Sequence, residues 1–163
     1  MSYSHLPQQD VSEKPFDLID TLDDLKKRVD ALVNDASVVI YSQNDLEQMP
    51  EVDPRLQNPD HGFISIMYAG MRGRNGADNV TNGVDTSARF VIAASFKNDK
   101  LRVHGLEKPV TMVRFMTEIR RALAKQKAPN NKTYTFVSET PWEVPGKGDG
   151  YAQEWNLSLT VFS

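Results

Sequence analysis

Chemistry needs particular side chains at particular spacings, and few such sets occur in these 163 residues. The three histidines, His5, His61 and His104, are scattered, with no His-Glu-x-x-His pattern and no two-histidine metal spacing. They read as surface histidines. Gly70-x-x-Gly73-x-x-Gly76 and Gly146-x-Gly148-x-Gly150 share only glycine content with phosphate loops. Such a loop needs a strand before it and a helix N-terminus after it, so that backbone N–H groups converge on the anion. Polar sequence follows Gly76, a strand pattern follows Gly150, and neither ends in Gly-Lys-Ser/Thr. Asp45, Glu47, Glu51 and Asp53 cluster, but without the Asp-x-Asp-x-Asp-Gly order of a calcium loop, and read as a solvated acidic loop. No serine sits in a Gly-x-Ser-x-Gly elbow. The expectation is a protein that is not an enzyme and holds no cofactor and no metal.

Composition narrows the class. Charged residues make up 25% and hydrophobic residues 39%, which is ordinary for a soluble globular chain. With no cysteine there are no disulfides and no thiolate metal sites, so the Asn-x-Ser/Thr sequons read as chance. No apolar run is long enough to span a membrane, and Met1-Ser2-Tyr3-Ser4 has no signal-peptide character. A cytoplasmic origin with no membrane partner is expected. A pI near 5.6 and the lack of a basic stripe interleaved with aromatics argue against specific nucleic-acid binding.

The elements that would position any site centre on residues 88–137. Ala88 to Phe96 is β-branched and aromatic enough for a strand. Pro109 opens a segment, Val110 to Lys127, in which Met112, Met116, Ile119 and Leu123 recur at helical spacing. Pro129-Asn130-Asn131 stops that helix, and Lys132 to Val137 starts a strand. Upstream, residues 1–17 read as an extended N-terminal arm and residues 18–163 as a single domain. Thr21 with Asp24 resembles an N-cap, and Leu22, Leu25, Val29, Leu32 and Val33 give an apolar stripe for a helix over about 20–34. Ser37 to Tyr41 and Phe63 to Ala69 read as strands. Gln43 to Gly62, Gly70 to Thr86 and Glu139 to Gly150 read as long loops. From Tyr151 to Val161, Trp155, Leu157, Leu159 and Val161 alternate with Asn156, Ser158 and Thr160, as in a half-buried antiparallel strand.

This order predicts an α+β fold: a mostly antiparallel sheet of four to five strands with two helices packed on one face. The second strand is apolar on both sides, so the other sheet face also needs a cover, from the loops or from a partner chain. Charge is unevenly divided. Residues 1–60 carry a net −8 and residues 61–163 a net +5, which suits two oppositely charged surfaces that meet within the fold or between copies.

The layout resembles the tail terminator, or tail-completion, proteins of long-tailed bacteriophages, lambda-type and Mu-type. The likeness runs through an N-terminal helix and strand, the segment Asn58 to Ile66, the strand Ala88 to Phe96, the helix Val110 to Lys127 and the closing strand Tyr151 to Val161. It is a likeness of element order over residues 18–163. It implies a structural virion protein of the tail and neck, assembled in the host cytoplasm. Such a protein caps the tail tube as a hexameric ring, ends tail polymerisation and presents a surface to the head-side connector. The implied partners are further copies of the chain, the tail tube protein, the connector or neck proteins and, in contractile tails, the sheath protein. The alternatives are a neck or head-completion protein and a small cytoplasmic α+β binding domain or enzyme.

A closed ring requires a heterologous contact, one patch meeting a different patch on the next copy. The acidic region from Asp45 to Asp60 supplies one side. Arg72, Arg74, Arg120 and Arg121 are the expected basic side, with Trp142 as the aromatic anchor. A protein without catalytic histidines should tolerate Ala at His61 or His104. An assembly assay on either variant checks this, and loss of function without loss of folding would contradict it.

Overall fold

Alternation of apolar side chains along the long strands decides which sheet face is closed. The structure, a computed structural model, describes residues 12–48, 51, 62–73, 83–96, 100–144 and 148–162. Five strands, β1 (Val38–Ser42), β2 (Gly62–Gly73), β3 (Gly83–Ser95), β4 (Tyr134–Val144) and β5 (Gly148–Phe162), form one sheet in the order β1-β2-β3-β5-β4. β1 and β2 are parallel and every other pair is antiparallel. Among the described residues three helices accompany them: α1 (Leu18–Asp30), α2 (Gln43–Gln48) and α3 (Met112–Leu123). The fold is therefore α+β with a mostly antiparallel sheet.

The core lies between the sheet and the two longer helices. Ile64 and Ile66 of β2, Phe90 and Ile92 of β3, and Trp155 and Leu157 of β5 all point to one side and are fully buried. Against them pack Leu22, Leu25 and Val29 of α1 and Phe115, Met116, Ile119 and Leu123 of α3. Burying each such side chain contributes roughly 1.5–3 kcal/mol, so these two helical stripes hold the helices to the sheet.

Several boundaries differ from the sequence reading, each for a local reason. α1 starts at Leu18 because Asp17 caps it, accepting from the Asp20 N–H at 2.9 Å; Thr21 is buried inside the first turn and donates to the Asp17 carbonyl. The helix stops at Asp30, and Val33 instead bridges to Val103. α3 spans 112–123 rather than 110–127: Val110 bridges to Leu101, Thr111 is the cap, and Lys125 adopts φ +63°, which ends the helix. The expected loop after β1 begins with α2. Its signal was present in Ser42-x-x-Asp45: the Ser42 N–H donates to Asp45 at 2.8 Å, and the Asp45 N–H donates back to the Ser42 hydroxyl at 3.2 Å. The Asp45 carboxyl, although burial alone would raise it, is held below the usual carboxylate range by Lys26 and Ser42.

Two other expected loops are strand wherever they are described; residues 74–82 of the expected loop Gly70 to Thr86 lie outside the described residues. β2 runs on through Gly70 to Gly73 after a bulge at which Gly70 takes φ +100°, a conformation that glycine adopts without penalty. β4 extends through Pro141 to Val144, pairing with β5 as far as Gly148. Proline is tolerated there because β4 is an edge strand. β5 outruns β4, and side chains satisfy its backbone beyond that end. Asn130 Nδ2 donates to the Ser158 carbonyl at 3.0 Å, and the Thr160 N–H donates to Glu13 at 3.1 Å. Residues 12–17 of the expected arm thus lie against the domain, with Lys14 N–H bonded to the Asn130 carbonyl and Phe16 packed on the core.

One polar junction locks α1 to the chain between α3 and β4. Tyr134 donates its hydroxyl to Asp24 at 2.6 Å, Arg28 pairs with Asp24 at 2.8 Å and donates to the Lys127 carbonyl, and the guanidinium lies over the Tyr134 ring. Burial and the hydrogen bond to Asp24 push the Tyr134 hydroxyl well above the usual tyrosine range. A folded-state value raised above the unfolded one means that the stabilisation is complete below about pH 10 and is lost as pH climbs beyond it. Tyr134→Phe should cost about 1.5–3 kcal/mol at neutral pH, the range for a bond to a charged acceptor. It should also flatten the alkaline loss of stability. Urea unfolding at pH 7 and pH 10.5 checks both effects.

Candidate interaction surface

The second face of the sheet is the one the helices leave. On it lie Val39, Phe63, Ser65, Ala93 and Ser95, which alternate with the core residues. In one cross-strand row Phe63 of β2 faces Ser95 of β3, then Gly150 of β5, then Trp142 of β4. The outer strands of that row stand three spacings apart, about 14 Å. The rings of Phe63 and Trp142 nevertheless meet edge to face, 6.3 Å between centroids. They lean together over the two small residues between them. A Cβ on Gly150 would sit 2.4 Å from the Ala94 carbonyl oxygen, so no larger residue fits there. Tyr41 continues the strip beside Phe63, at 6.3 Å. Burial raises the Tyr41 hydroxyl above its ordinary value, and a hydrogen bond with Ser65 only partly offsets this. Trp142 closes the strip with 43% of its surface exposed.

Toward the other end of the same face lies an open groove of about 620 Å³. Arg72 and Arg89 line it from β2 and β3, Glu154, Asn156 and Thr160 from β5, and Lys132 from the approach to β4. Arg89 pairs with Glu154 through both Nε, at 2.9 Å, and Nη2. Arg72 is exposed and makes no ion pair among the described residues. Asn156 Oδ1 is buried and has no hydrogen-bond partner among the described residues. Leaving a buried acceptor unpaired would cost about 1–3 kcal/mol, so folded proteins nearly always give such an atom a partner, from the chain or from ordered water.

The expected interface residues are thus divided. Arg72 lies in the groove, and Trp142 lies on the same face at its far end. Arg74 falls outside the described residues. Arg120 and Arg121 are on α3, on the opposite side of the sheet. Arg120 turns inward: it pairs with Glu139 and donates to the Thr117 hydroxyl at 2.8 Å. Arg121 is exposed and pairs with Glu118, which Arg114 also grips at 2.9 Å. The structure therefore brings neither α3 arginine to Arg72. Of the histidines, only His104 lies among the described residues, and it is exposed.

Sequence reasoning missed Arg89, Glu154 and Asn156. The alternation in β5 places Asn156 on the outward side, but its pairing opposite Arg89 follows only from the register. Among the described residues no three Asp, Glu or His side chains are placed to hold a metal ion, and no helix is long and apolar enough to cross a membrane. No protein-family model matches the chain, and comparison with curated protein sequences finds no match either.

Removing the unpaired acceptor should relieve the fold. Asn156→Val, which suits a strand, should leave the isolated chain as stable as the native one or up to ~1 kcal/mol more stable. Urea denaturation of both chains is the check, and a clear loss of stability would mean that Asn156 already has its partner.

Proposed function

We propose that this chain is a tail terminator of a long-tailed phage: a structural subunit that closes as a hexameric ring on the end of the tail tube. In this role the ring ends tube polymerisation and gives the head-side connector its docking surface. The protein acts by binding, with no catalytic step, and resides in the virion tail and neck after assembly in the host cytoplasm. Its partners are its own copies, the tail tube protein and the neck proteins.

The observation that carries the reading is the two-sidedness of the sheet. One face is closed by α1 and α3, while the other combines an aromatic strip ending in the exposed Trp142 with a cation-lined groove. A ring subunit needs such an asymmetric surface, because each copy must offer its neighbour a patch unlike the one it receives. The element order that resembles the terminators supports the same assignment. Trp142 has the character of an interface anchor, a large ring presented on a rigid strand.

Native mass spectrometry of the chain, alone and mixed with tail tubes, tests the proposal. The expected species is a six-fold assembly, formed by the chain alone or only on tubes, together with a tube population of fixed length. A chain that stays monomeric in both conditions and leaves tube length unchanged would overturn it.

A further inference from the structure

We propose that residues 12–14 are a guard strapped over the free edge of β5, and that the guard denies this edge to β5 of a second copy. The inference goes beyond the ring reading and stands without it. β4 pairs with β5 only as far as Tyr134 and Leu157, while β5 runs on to Phe162. Ser158 to Phe162 therefore has one backbone edge with no neighbouring strand. Side chains occupy that edge instead. Asn130 Nδ2 donates to the Ser158 carbonyl at 3.0 Å, and the Thr160 N–H donates to Glu13 Oε1 at 3.1 Å. The Thr160 hydroxyl reaches the other Glu13 oxygen at 3.4 Å.

An open strand edge is a template for another chain, and folded proteins blunt it with charge, proline, bulges or shortness. Among the described residues the other edges of this sheet carry such devices in their own sequence. β4 has a bulge between Phe136 and Ser138, charges at Glu139 and Glu143, and Pro141, which has no N–H. β2 outruns β1 after Ile66, and there Gln43 Oε1 accepts from the Tyr68 N–H at 3.0 Å, before the Gly70 bulge and Arg72. β1 is only five residues long. Ser158-Leu159-Thr160-Val161-Phe162 has no charge, no proline and no glycine. Its β-forming, uncharged composition is of the kind that pairs with copies of itself. Protection of this stretch must come from outside it, and Glu13 and Asn130 supply it.

The two differ in how firmly they are held. Asn130 is buried in the fold. Glu13 rides on a strap tied by the Lys14 N–H to the Asn130 carbonyl at 2.9 Å and by Asn131 Nδ2 to the Ser12 carbonyl at 2.9 Å, with Phe16 partly buried against the core. So few contacts let the strap open while the sheet stays folded. Thr160 is the middle residue of the overhang, and its N–H points outward, as the bond to Glu13 shows. Two opened edges pair antiparallel about a two-fold axis at Thr160, where the two residues exchange both backbone hydrogen bonds.

The test uses the full chain, which has no cysteine of its own. Glu13→Ala removes the acceptor, while Glu13→Gln keeps an Oε1 in the same place. Amide hydrogen exchange at Thr160 should quicken by about tenfold or more in the Ala variant, the equivalent of one hydrogen bond to a charged acceptor, and stay near the native rate in the Gln variant. Sedimentation should show the Ala variant forming species larger than those of the native chain. A Thr160→Cys substitution locates the contact, because paired Thr160 positions stand about 5.5 Å apart, within disulfide reach. Oxidation should join copies that carry both Glu13→Ala and Thr160→Cys, and leave Thr160→Cys alone unlinked. Unchanged exchange at Thr160 in the Ala variant overturns the inference. So does a freed Thr160 without added association, association without the disulfide, or a Gln variant that behaves as the Ala variant does.

Discussion

The closure of one sheet face over Trp155 is the interaction on which the rest of the structure depends. The indole is fully buried, stacked edge to face on Phe136 and covered by α3. Its N–H must find an acceptor, and Gln153 on the same side of β5 supplies one at 3.0 Å. Gln153 in turn donates to the Met116 carbonyl of α3 and to Glu139 of β4, both at 2.8 Å. Glu139 then draws Arg120 inward. A chain of satisfied polar groups thus fixes α3, the inner strand β5 and the edge strand β4 together. Breaking one link would strand buried partners, which is why such networks specify a single arrangement.

That closure also determines where outward chemistry can occur. With Arg120 bound to Glu139, and with Arg114 and Arg121 sharing Glu118, the α3 cations are engaged within the subunit. The opposite face has no equivalent cover from a helix among the described residues. There the sequence alternates extremes of size. Ser95 and Gly150 let Phe63 and Trp142 meet across them, while polar residues toward the hairpin end of β2 and β3 form the groove.

Much of the fold was legible in the sequence. The helical stripes of Leu22, Leu25 and Val29 and of Met112, Met116, Ile119 and Leu123 gave both packed helices, and the alternation around Trp155 gave β5. What misled was turn chemistry read without pairing. Glycines at 70 and 73 and prolines at 141 and 145 resemble loop punctuation, yet Gly70 forms a bulge and Pro141 sits on an edge, both compatible with strand. The capping box Ser42-x-x-Asp45 was passed over because no apolar period followed it. The site was less legible than the fold. Arg72 and Trp142 stand out by residue type alone. The meeting of Arg89, Glu154 and Asn156, in contrast, depends on a register between strands more than sixty residues apart. Arg120 looked free because the acid that holds it lies in what read as a loop.

The central claim is that the helix-free face, and not the α1/α3 side, makes the contacts of the assembled protein. Hydroxyl-radical footprinting of the free and assembled chain measures this directly, because each side displays exposed apolar probes: Trp142 and Val137 on the open face, Ile19 and Val113 on the helices. The account predicts that labelling of Trp142 and Val137 falls on assembly while Ile19 and Val113 label as in the free chain. Protection of Ile19 and Val113 with unchanged labelling at Trp142 would contradict it.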